Sequence, residues 1–129
     1  MASILKVDTI TGVSTAGSIA VTGEGNSTTT NLQQGLAKAW LRMNSAATIS
    51  DSLNISSTSD DGTGDYSVTF TNNVANGSNI SGAANAFTSL SYLATYHGAT
   101  ASGYNIDIHN HSDSNVDSGS SHQTFGDLA

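Results

Sequence analysis

The chain has 129 residues, a formal charge of -7 and no cysteine. That length favours one domain with one real core, and the missing cysteines exclude a disulfide framework and a thiolate metal site. With only three basic residues, Lys6, Lys38 and Arg42, nothing resembles the cation cluster that nucleic acid or an anionic membrane requires.

Only 10% of residues are charged, and there is no proline. Disorder goes with high charge and lost periodicity. Here the apolar residues alternate, so short strands with Ser and Thr outside and Gly in turns are expected. No apolar run approaches the roughly 20 residues of a membrane span. No basic segment followed by an apolar one opens the chain, so no signal peptide is expected and synthesis is placed in a cytoplasm.

Ser3–Ile10 alternates, with Leu5, Val7 and Thr9 on one side and Ile4, Lys6, Asp8 and Ile10 on the other. Apolar residues on both sides suit a strand covered on two faces or an extended arm lying on another chain. Gly12 and Gly17 interrupt the pattern, and a second short strand is expected over Ser18–Thr22. Gly23–Asn26 and Ser27–Thr30 have linker composition. The arm and linker therefore take residues 1–30, and a globular domain takes 31–129.

Asn31–Met43 fits two patterns. Leu32, Leu36, Trp40 and Met43 make a helical stripe, with Thr30 and Gln33 spaced as a capping box. Alternatively Ala37, Ala39, Leu41 and Met43 face one way as a strand, after a helical turn from Asn31 to Gly35. Next, Ser52–Phe70 reads as one β-hairpin, with Leu53 and Ile55 on its first strand and Tyr66, Val68 and Phe70 on its second. The Ser, Thr, Asp and Gly residues between them read as its loop.

Asn72–Ala86 reads as a further loop, and Phe87–Tyr96 alternates in both registers. Tyr104, Ile106 and Ile108 share one face of a strand, opposite Asn105, Asp107, His109 and His111. Ser112–Ser121 is a predicted loop before a short strand, His122–Phe125. Six to eight strands at this spacing predict an all-β chain: an antiparallel β-sandwich, jelly-roll-like, with an extended N-terminal arm. Trp40 and Tyr66 are expected in its core.

Several segments together resemble a small β domain of bacteriophage tail-fibre and related virion proteins. They are Gly35–Leu36–Ala37–Lys38–Ala39–Trp40, Leu53–Asn54–Ile55–Ser56–Ser57, Asp61–Gly62–Thr63–Gly64–Asp65–Tyr66–Ser67–Val68 and the closing Phe125–Gly126–Asp127. The opening Ser3–Ile4–Leu5–Lys6–Val7–Asp8–Thr9–Ile10 resembles the start of many such proteins. The resemblance covers most of the chain and favours the strand reading of residues 37–43. It implies a virion structural protein: a short fibre or knob that contacts the host surface, or a capsid decoration (cement) protein. It also implies a homotrimer, with other tail or capsid proteins as partners and a host glycan or protein as a further one. Ile4, Leu5, Val7 and Ile10 would then dock the arm on a neighbouring subunit.

His109 and His111 have metal-ligand spacing, since residues two apart on a strand share a side. Three such pairs at a trimer axis would offer six imidazoles, an arrangement that some phage fibres and spikes resemble. Asp60, Asp61 and Asp65 have carboxylates for calcium but lack EF-hand spacing. Tyr92, Tyr96 and His97 are the expected host-contact patch. No nucleophile elbow or phosphate loop is present, so an enzyme is not expected, and neither is a cofactor beyond the metal at His109 and His111.

Overall fold

A computed structural model describes residues 4–12, 19–23 and 29–126. The chain divides into two units, Met1–Gly35 and Leu36–Ala129. The composition-based linker over 24–28, Gly17, Ser18 and the terminal Asp127 lie outside the described residues.

In the first unit, β1 (Ala20–Thr22) pairs antiparallel with β2 (Thr29–Asn31). A single helical turn, α1 (Leu32–Gly35), follows, as the strand reading of residues 37–43 allowed. Residues 4–12 take no regular structure, and Ile4, Leu5, Val7 and Ile10 are exposed.

The second unit is an antiparallel β-sandwich, as expected. Its strands are β3 (Ala39–Met43), β4 (Ile49–Leu53), β5 (Ile55–Gly62), β6 (Asp65–Phe70), β7 (Ser81–Ala86), β8 (Tyr92–His97), β9 (Gly103–Asn110) and β10 (Ser120–Phe125). One sheet has the order β4-β3-β10-β7, the other β5-β6-β9-β8. Alternation places Ala39, Leu41 and Met43 of the first sheet against Tyr66, Val68, Phe70, Tyr104, Ile106 and Ile108 of the second, and all are buried. Burial of those apolar faces is the main force holding the layers together.

The predicted hairpin is redrawn. Leu53 belongs to β4 in the first sheet, paired with Trp40. The Ser/Thr/Asp stretch expected as a loop is most of β5, paired with β6. Backbone pairing at a sheet edge does not need apolar side chains, so polarity misled there. Asn54 makes the switch between sheets, with φ at 58°. Its Oδ1 accepts from the Asn72 amide at 2.7 Å, and its Nδ2 donates to the Asn72 carbonyl at 3.0 Å. Asn tolerates this left-handed conformation better than most residues. Asn54→Ala should therefore cost about 1–3 kcal/mol in urea unfolding, and Asn54→Gly less, because glycine keeps the conformation. Equal losses would mean that backbone conformation is irrelevant at this corner.

Asn72–Ala86 is likewise not all loop. Its second half is β7, whose inward positions Gly82, Ala84 and Ala86 are small. A Cβ on Gly82 would lie 2.2 Å from the Tyr96 ring, so the Tyr96 ring occupies the space a larger residue would take.

Candidate functional site

A hydrogen-bonded polar row lies inside the sandwich. Alternation along β10 turns Ser120, His122 and Thr124 inward, each at most 1% exposed. Tyr104 Oη lies 3.0 Å from His122 Nδ1, and Ser120 Oγ lies 2.7 Å from Nε2. Neutral imidazole has one donor and one acceptor nitrogen, and either hydroxyl can complement either role. Burial pushes the imidazole down to about 4. Burial also raises the phenols of Tyr104 and Tyr96, which stack at 4.4 Å. The Ser120–His122 pair is sealed from solvent, so it is not placed to meet a substrate.

This row was not anticipated. The expected strand, His122–Phe125, began two residues late, and the period of two, with Ser120, His122 and Thr124 on one side, was the available signal for its buried face.

The two outer sheet faces differ in chemistry. On the β5-β6-β9-β8 face, Ser59, Asp61, Ser67, Asn105, Asp107 and Thr95 give a polar surface. A shallow depression of about 270 Å³ there is rimmed by Ser67, Thr69, Thr100, Ser102 and Asn105. His97 Nε2 is 3.1 Å from Asp107 Oδ1.

The expected host-contact patch is not one patch. Tyr92 and Tyr96 pair with Asn110 and Ile106, point inward and pack on the core, whereas His97 points to the opposite face. Adjacent strand positions alternate sides, and His97 follows Tyr96 directly. Trp40 also departs from its expected place. Its neighbours Ala39 and Leu41 fill the core, and Trp40 lies partly buried on the outer face.

β9 ends at Asn110, so His111 stands in the following turn and strand geometry does not align it with His109. Both line one surface depression of about 580 Å³ with Leu90, Tyr92, Leu93 and Asp113. His109 Nδ1 is 3.8 Å from Asp113 Oδ1. Among the described residues, no three His, Asp or Glu side chains are grouped to hold a metal ion.

The aspartates considered for calcium do not converge either. Asp61 Oδ1 accepts from Ser59 Oγ at 2.7 Å, and Oδ2 accepts from Ser67 Oγ. The Ser67 hydroxyl, then that of Ser59, holds the carboxyl below the usual carboxylate range. Both oxygens are therefore engaged on an exposed strand. Asp61→Ala should cost under about 1 kcal/mol by thermal unfolding. A larger loss that added calcium reversed in the parent protein would restore a cation-binding reading.

Compared with known proteins, the chain matches no family model, no curated protein and no solved structure. No helix among the described residues is long and apolar enough to cross a membrane.

Proposed function

We propose that the chain is a structural protein of a bacteriophage virion, a short fibre or knob assembled as a homotrimer. The observation that carries this reading is the exposure of Ile4, Leu5, Val7 and Ile10, at 53–80%, in a unit separate from the sandwich. Large apolar side chains left in water favour a partner surface. Residues 4–10 have no strand partner of their own, so they suit addition to a sheet edge on a neighbouring virion subunit. The resemblance of the chain to tail-fibre-type β domains supports the same reading. The sandwich then projects outward, and its polar, acidic sheet face suits a solvated particle surface.

Immunogold labelling of purified virions with antibody against the sandwich tests it. Label at the tail or fibre tips is expected. Label spread over the capsid lattice would make the chain a decoration protein, and virions without label would refute both. Sedimentation equilibrium checks the oligomer, since a chain of 13.1 kDa should sediment as three copies.

A further inference from the structure

Residues 36–129 contain two cations, Lys38 and Arg42, against eight aspartates. Among the described residues neither cation forms an ion pair, and the pairs present belong to His97 and His109. Both cations instead flank the only tryptophan of the chain, at two-residue steps along β3 and the residue before it. Lys38 is packed down to 8% exposure, which leaves Arg42 as the accessible charge. The Arg42 guanidinium lies 4.1 Å from the centre of the Phe87 ring, which orients it.

The strand register builds a bed around Trp40. Leu53 lies across from it on β4 and Gln123 on β10, while Arg42 is flanked by Ser121 on β10 and by Asp51 on β4, whose Oδ1 accepts from the Ser52 amide at 2.9 Å. Trp40, Arg42, Ser121 and Gln123 line a depression of about 360 Å³, within the ~300–1,000 Å³ usual for small-molecule sites. Its floor is apolar, and its polar groups are a guanidinium, a hydroxyl and an amide.

We infer that this face binds an anionic saccharide, with a sugar ring on Trp40 and its carboxylate on Arg42. The ring face of an indole is electron-rich and attracts the C–H face of a pyranose. A guanidinium holds a carboxylate through two parallel hydrogen bonds. Gln123 and Ser121 are placed to reach ring hydroxyls. An acidic peptide fits less well. Extended peptides add to free sheet edges, whereas β3 and β10 are each paired on both sides. The charge of the domain fits as well: one accessible cation on an otherwise acidic surface selects a single carboxylate and repels a dense polyanion.

This rests on the reading of the sandwich as a host-contacting module, and it moves that contact from Tyr92, Tyr96 and His97 to the other sheet. The test does not depend on where the chain sits in a virion. Trp40 is the only tryptophan, so its emission reports on this face alone. The full chain is titrated at low salt with tri-galacturonate, sialyllactose, maltotriose and hexaglutamate. Saturable change with an acidic sugar is expected, with affinity about tenfold lower in Arg42→Gln and lower in Gln123→Ala. Both altered side chains lie on the outer face, and unchanged circular dichroism verifies folding. The inference is overturned if neither acidic sugar binds at millimolar concentration, if maltotriose binds equally well, if Arg42→Gln binds as tightly as the parent, or if hexaglutamate binds more tightly than both sugars.

Discussion

Gly64→Ala should destabilise the sandwich by about 3–5 kcal/mol, from left-handed strain, overpacking and two weakened hydrogen bonds. Gly64 has φ at 71°, in the turn between β5 and β6. A Cβ there would meet the Ile108 carbonyl oxygen at 2.4 Å and the Val116 amide nitrogen at 2.8 Å. Both are backbone atoms, which cannot rotate aside as a side chain can. The same residue ties three segments together. Its carbonyl accepts from the Ile108 amide at 2.7 Å, and its amide donates to Asp117 Oδ1 at 2.8 Å. The urea midpoint should fall while the slope of unfolding free energy with urea stays constant. A loss under about 1 kcal/mol would mean that the turn relaxes freely and the loop over 111–119 is not anchored through it.

Acid should weaken the fold through His122. Its folded pKa is lowered to about 4, whereas an unfolded histidine titrates near 6.5. Above pH 6.5 both states hold a neutral ring, and its contribution to stability is complete. As pH falls from 6.5 to 4, the unfolded state takes up a proton that the folded state refuses, so stability drops. Below pH 4 both states are protonated, and the loss from this group levels off at about 3 kcal/mol. The cause is desolvation, since Tyr104 and Ser120 can accept hydrogen bonds from a charged ring but neither neutralises it. Urea midpoints at closely spaced pH values should show this slope in the parent and less of it in His122→Gln. Identical slopes would sink the assignment. If the variant does not fold, the ring carbon shifts of His122 in the parent should stay those of neutral imidazole until near pH 4.

The two-layer architecture was readable where apolar residues alternate. Tyr104, Ile106 and Ile108 declared their strand and its buried face, and so did Tyr66, Val68 and Phe70. Strands whose inward positions are small or polar were hidden in whole or in part: β7 read as loop, and β10 was expected only from His122 onward. β7 turns Gly82, Ala84 and Ala86 inward, because the Tyr96 ring takes up the missing volume. That complement lies 14 residues further along the chain, beyond any local pattern. β10 turns Ser120, His122 and Thr124 inward, because hydrogen bonds within the sandwich replace those to water. The sites suffered from the same locality. Tyr92, Tyr96 and His97 looked like one surface until alternation divided them, whereas the bed around Trp40 needs the register of β3 with β4 and β10.

The polar edge strand β5 bears on behaviour in crowds of identical copies. An unpaired strand invites a second copy to extend the sheet. Ser56–Ser59 offers such an approach little apolar surface, and Asp60 and Asp61 follow on the same edge. Two β5 edges meeting parallel and in register would set Asp60 and Asp61 of one copy beside those of the other without compensating cations. Like charges opposed across strands repel. Many sandwiches can therefore be held side by side at high local concentration without fusing into continuous sheets.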